Sequence, residues 1–289
     1  SIGIEDVLKE HFDEENIVYW MAFQILMGNV DTQNRNVYLY SPLNSDIWYF
    51  IAWDNDGCLM RSEYELKNFS DQGSWEKGIS NYWGNVLFQR CLKSRSFREK
   101  LNDAILELRE YLNKDMLISK IESYKNVLKP YLYSMPDAEY EPLTSEQYDQ
   151  IVASLPDEIE KNYKLYLESL ETPMPFYIGV PTIDGNKLKF NWDVSYDLDA
   201  EDITYSVEVA RDYLFQDVIY HNTTLTVPET EMDLPEAGQY FVRIRATNTS
   251  GKTQDAFDYY VTDEGKHYGM KCFYITEDST VEEDNYEEG

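Results

Sequence analysis

The hydrophobic period of this chain changes once, near Pro173 and Pro175, and that change constrains the fold more than any other feature. Before it, apolar residues recur at helical spacing; after it, they alternate. A helix buries a stripe and a strand buries one face, so the two halves need separate cores. The chain therefore reads as multi-domain α+β. Residues 1–171 form a mainly helical part with a small β-hairpin, 172–263 an all-β sandwich, and 264–289 an acidic tail.

In the first part, Asp13 is placed to cap a helix carrying Ile17, Trp20, Met21, Ala22, Phe23, Gln24, Ile25 and Leu26. Apolar residues occupy nearly every side, which predicts a buried helix ending at Gly28-Asn29. The runs Val37–Tyr40 and Ile47–Trp53, joined by Ser41-Pro42-Leu43-Asn44-Ser45-Asp46, predict a hairpin. Asn85–Cys91, Phe97–Leu112, Leu117–Leu128 and Ser145–Leu170 return to helical period. Ser96-Phe97-Arg98-Glu99 has the form of a capping box.

In the second part, Leu188–Trp192, Ile203–Val209 and Tyr240–Ala246 alternate, with turns at Asp184-Gly185-Asn186 and Ser250-Gly251-Lys252. Short strands at this spacing, with no helix between them, predict a β-sandwich. From Asp263 on, nine acids face two lysines, the composition of a partly ordered tail.

Charge limits the partners. The 289 residues carry 25 Lys+Arg against 54 Asp+Glu, a net charge of −29. Such a surface lacks the basic footprint that nucleic acid or anionic lipid requires, but it suits divalent cations. Hydrophobic residues make up 43%, enough for packed cores. No run approaches the ~20 apolar residues that span a bilayer. Ser1-Ile2-Gly3-Ile4-Glu5-Asp6 is neither basic nor apolar, so no signal peptide opens the chain and a processed fragment is expected. Cys58, Cys91 and Cys272 are too scattered for a disulfide framework, and only three His are present. Polar chemistry here falls to carboxylates and amides.

One constellation meets that requirement. Asp31 and Asn36 stand in a D-x-x-x-x-N spacing, a hairpin follows, and Trp53-Asp54-Asn55-Asp56-Gly57 closes the segment. Phosphoryl transfer needs one carboxylate to orient the attacking hydroxyl, and an amide oxygen with a second carboxylate to hold Mg²⁺. The hairpin returns the chain to the same end of the sheet, so Asp31, Asn36 and Asp54 can converge. Asp56 shares the face of Asp54 if the chain stays extended.

At these residues the chain resembles the spore coat protein H (CotH) kinase family. The likeness lies in the apolar helix, Asn29-Val30-Asp31, Asn36, Leu39-Tyr40 and Trp53-Asp54-Asn55-Asp56, with Ala52 where the family usually has Pro. It extends through Trp83, Leu87-Phe88, Leu92 and Phe97-Arg98-Glu99-Lys100 over roughly residues 1–170. The resemblance implies a kinase-like C-terminal lobe that transfers phosphate from ATP to Ser or Thr of a secreted or coat protein. Asp31 would be the catalytic residue, Asn36 and Arg35 cofactor-binding residues, and Asn36, Asp54 and Asp56 the metal ligands, with Asn29 and Trp53 in support. Only 30 residues precede Asp31, with no glycine-rich loop or strand lysine. ATP and Mg²⁺ are therefore expected to act on the full-length protein, and this chain is expected to bind ATP weakly or not at all.

Residues 172–263 resemble a fibronectin type III domain, with Trp192 as its core tryptophan and Leu234-Pro235-Glu236-Ala237-Gly238-Gln239-Tyr240 as its tyrosine corner. Such modules act as extracellular spacers or adhesion units, which implies a secreted or cell-surface location. Asn68-Phe69-Ser70, Asn222-Thr223-Thr224 and Asn248-Thr249-Ser250 fit the glycosylation sequon. Two other readings remain open: a non-catalytic surface scaffold or adhesion protein, and a carbohydrate-binding surface protein suggested by the many Tyr and Trp.

Overall fold

The structure is a computed structural model that describes residues 2–33, 35–60 and 72–283. It is mixed α+β, helical in its N-terminal part and β-rich in its C-terminal part. The backbone divides into two compact units: residues 1–70 with 77–167, and residues 71–76 with 168–289.

In the first unit, α1 (Ile4–His11) precedes α2 (Glu14–Met27). Asp13 caps α2, its Oδ1 accepting the Asn16 amide at 2.8 Å and satisfying one first-turn donor. The helix buries Ile17, Val18, Trp20, Met21, Ala22, Gln24, Ile25 and Leu26. It ends at Gly28, with φ 65°. A Cβ there would lie 2.6 Å from Asn162 Nδ2, which donates to the Leu26 carbonyl, so only glycine fits.

β1 (Tyr38–Tyr40) and β2 (Tyr49–Ile51) form the hairpin, with Tyr38 opposite Ile51. The second strand is shorter than the apolar run predicts, because Trp48 leaves it to bridge Phe12. Asn16 fastens the hairpin to α2. Its side chain donates to the Phe50 carbonyl (3.1 Å) and accepts from the Phe50 amide (2.6 Å), as a neighbouring strand would. Phe50 then packs on Trp20 and Phe88, at centroid distances of 4.9 and 5.7 Å.

The other helices among the described residues are α3 (Val86–Lys93), α4 (Arg95–Tyr111), α5 (Lys114–Leu132) and α6 (Ser145–Glu171). The capping box expected at Ser96 does not form. Ser94 both ends α3 and caps α4, which leaves Ser96 inside the first turn and Glu99 paired with Arg95. A reciprocal box stands at α6 instead, where Gln147 N donates to Thr144 Oγ1 and Thr144 N to Gln147 Oε1.

The second unit packs two antiparallel sheets. One orders β3 (Thr182–Asp184), β4 (Lys187–Asn191) and β7 (Glu229–Asp233). The other runs β13 (Val281–Glu283), β12 (Met270–Ile275), β8 (Gly238–Asn248), β5 (Ile203–Ala210) and β6 (Val218–Leu225), with β9 (Thr253–Asp255) beside β8. β10 (Tyr259–Thr262) and β11 (Gly265–Tyr268) form a separate hairpin. Leu188 and Phe190 from the first sheet meet Val207, Val209, Val242, Ile244 and Phe273 from the second in one core.

The tail expected over 264–289 is corrected by β11, β12 and β13. β12 pairs with β8 along its whole length and buries Phe273 completely. The acid-rich composition conceals a strand, Met270-Lys271-Cys272-Phe273-Tyr274-Ile275, in which apolar side chains fill the buried positions. The sandwich therefore extends past 263, and residues 284–289 lie outside the described residues. The sequon at Asn68 also lies outside them. Asn248 is buried and bonded through Nδ2 to Asp197 and to the Glu171 carbonyl, so the folded chain offers no acceptor amide there.

Candidate functional site

The candidate site is built where two loops of the first unit meet. After α2 the chain turns through Asn29 and Val30 into a single 3-10 turn, Asp31–Gln33. After β2 it turns again through a 3-10 turn, Asn55–Gly57, so the chain is not extended from Asp54 to Asp56 and strand alternation does not put these two side chains on one face. Because Tyr38 pairs with Ile51, Asn36 and Asp54 emerge at the same end of the hairpin. Both have left-handed backbone with φ 52°, a conformation that Asn and Asp tolerate better than other side chains.

Asn29 joins the two loops. It is almost fully buried, and its Nδ2 donates to Gln24 Oε1 (3.2 Å) and to Asn55 Oδ1 (3.1 Å). Its Oδ1 accepts the Asp31 amide at 3.2 Å. Gly57 closes the approach, since a Cβ there would lie 3.4 Å from both Asn29 Oδ1 and Asp31 Oδ2. Asp31 and the Asp54–Gly57 turn are thus brought together, while Asp31, Arg35, Asp54 and Asp56 face solvent.

A second set of residues pins the Asp31 loop from below. Asn81 Nδ2 donates to the Val30 carbonyl (3.2 Å), and the Tyr82 hydroxyl lies 2.9 Å from Thr32 Oγ1. Asn85 Nδ2 reaches the Gln33 carbonyl at 3.4 Å while its Oδ1 caps α3. Burial raises the Tyr82 pKa, so its phenol stays a neutral hydrogen-bonding group. Nothing in the motif spacing singles out Asn55, Thr32, Asn81, Tyr82 or Asn85. The available signal was a pair of amides, Asn81 and Asn85, flanking Tyr82 and Trp83 where surface loops would carry charge.

Cys58 follows the second turn. Burial, and then the nearby charge of Asp56, push its thiol up to about 12, so it is a protonated, weakly nucleophilic group at neutral pH. Among the described residues, no group of three or more His, Cys, Asp or Glu is placed to hold a metal ion. A cation at this site would need amide oxygens beside the carboxylates.

One loop Asp, one Asn and one Asp after the hairpin follow one another in this unit, in the order on which the likeness to a kinase family rests. The family model described as CotH kinase protein matches residues 2–166, and the chain belongs to that family. No curated protein matches the chain. Among solved structures, the twitchin kinase region from C. elegans is 16% identical, covering 33% of this chain and 20% of its own, with a TM-score of 0.25. Surface layer protein SbsC, domains 1–6, is 12% identical, covering 95% of this chain and 38% of its own, with a TM-score of 0.18. Likeness at these scores carries no structural argument. Among the described residues, no helix is long and apolar enough to cross a membrane.

Proposed function

We propose that this chain carries the catalytic-loop part of a CotH-like protein kinase, whose full-length form transfers a phosphoryl group from ATP to Ser or Thr of a secreted or coat protein. The observation that supports this best is the Asn29 junction, one buried amide bonded both to the Asp31 loop and to the turn after Asp54.

In this reading Asp31 orients the attacking hydroxyl and takes its proton. Its exposure lets a protein substrate reach it, and the bonds from Asn29 and Asn81 hold its loop against recoil. Asn36, Asp54 and Asp56 would hold Mg²⁺, which supplies charge neutralisation at the phosphates. The oxygen atoms of these side chains suit that ion, and the Asn36 amide would have to add to the carboxylates, which among the described residues form no metal-holding group of three. Arg35 supplies positive charge beside Asn36, useful in a chain whose net charge of −29 repels free nucleotide.

The second unit reads as a fibronectin type III-like module of a secreted or surface protein. Supporting features are the three-stranded sheet packed on the larger one, the buried Trp192, and the Tyr240 hydroxyl donating to the Glu236 carbonyl at 2.8 Å.

The test is phosphate transfer by the full-length protein carrying Asp31→Ala or Asp54→Ala. Each should lower kcat by ~100-fold or more. Full activity in both variants would overturn the site, and activity missing from the parent protein would favour a non-catalytic scaffold.

A further inference from the structure

The second unit includes six residues from far upstream, 71–76, although the chain on either side of them belongs to the first unit. The described part of this excursion is a closed turn. Glu76 N donates to the Gly73 carbonyl at 3.0 Å, and Gly73 N donates to Glu76 Oε2 at 3.1 Å. The turn presents Trp75, which is only 6% exposed.

The indole meets the edges of two aromatic rings of the second unit, Phe257 at 5.0 Å and Tyr268 at 6.1 Å between centroids, with interplanar angles of 65° and 78°. These edge-to-face geometries are the favourable ones for aromatic pairs. Tyr177 backs Phe257 at 4.8 Å. Beside the ring, Gln254, itself buried, donates from Nε2 to Ser74 Oγ at 2.9 Å. Gly73 is required by the fit, since a Cβ there would stand 2.8 Å from the indole ring. Trp75 Nε1 has no hydrogen-bond partner among the described residues, so shape and ring edges hold the side chain.

We infer that the second unit carries a binding notch, formed by Phe257, Tyr268 and Gln254, whose ligand is the indole of this chain's own Trp75, and that the notch thereby anchors the turn at residues 73–76. In sequence this turn lies between the two parts of the candidate site, the turn after Asp54 and the Asn81–Asn85 residues that pin the Asp31 loop. The β-rich unit on this account holds an upstream turn of the chain within its own fold. The contact rests on packing geometry and does not depend on the phosphoryl-transfer reading.

Hydrogen exchange read by mass spectrometry on the whole chain tests the notch. Trp75→Ala removes the ligand, Gly73→Ala obstructs its seat, and Trp75→Phe keeps an aromatic ring. Exchange across residues 73–77 should rise ~10-fold or more in the first two variants and less in the third. Peptides from β5 and β8 should exchange as in the parent, and Tyr111→Ala, at an exposed helical position, should change neither region. Unchanged exchange across 73–77 in Trp75→Ala would overturn the inference. So would an equal rise in β5 and β8, which would make Trp75 an ordinary part of the sandwich core.

Discussion

The hairpin of the first unit and the large sheet of the second use the same kinds of residue with opposite results. Tyr38, Tyr40 and Trp53 are 52%, 53% and 53% exposed, whereas Tyr205 and Tyr240 are 3% and 2% exposed. Propensity does not separate them, since all are aromatics in or beside strands. The difference is the second layer. β5 and β8 face β4 across a shared core. Among the described residues, β1 and β2 are covered from one side, where Phe50 enters the aromatic cluster of α2 and α3. An aromatic strand is a core element only when another layer closes over it.

That contrast can be broken most severely at Phe273. It is fully buried between the two sheets and lies at 5.9 Å from both Phe190 and Tyr240 between ring centroids. Phe273→Ala should cost ~3–5 kcal/mol, measured by urea unfolding of the second unit's signal. A loss near zero would mean that the acid-rich segment is not part of the core.

A smaller effect belongs to Tyr240. Its ring packs on Phe273 while its hydroxyl donates to the Glu236 carbonyl at 2.8 Å. Tyr240→Phe keeps the packing and leaves one acceptor unpaired, so about 1 kcal/mol should be lost in the same measurement. The smallest effect falls on the hairpin. Trp53 touches Tyr38 at 4.8 Å but is half exposed, so Trp53→Ala should move stability by no more than ~0.5 kcal/mol. A loss comparable to that of Phe273→Ala would show that the open face is closed in solution.

The candidate site was legible in part for a related reason. The order Asp31, Asn36, hairpin, Asp54 is local, and a two-stranded connection brings its ends together whatever the rest of the chain does. The support for it is not local. Tyr82 reaches Thr32 across 50 residues of sequence, and Asn81 reaches Val30 across 51. No period or spacing links such residues, because their pairing depends on where α3 and the turn before it dock. The cap at Ser94 is hidden from the sequence in the same way, since Ser96 satisfies the same local pattern and only the turn between α3 and α4 selects the earlier serine.

By itself, the sequence determined the change from helices to strands near Pro173, the glycine stop of α2, the turns at Gly185 and Gly251, and the carboxylate and amide order of the candidate site. Each follows from backbone stereochemistry or side-chain period, which act over a few residues. Only the tertiary structure decided that Met270–Ile275 is a central strand in an acidic stretch, that Asn29 bonds to both site loops, and that Trp75 belongs to the second unit. Those outcomes depend on which apolar surfaces cover one another, and burial is a property of the assembled layers and not of any segment alone.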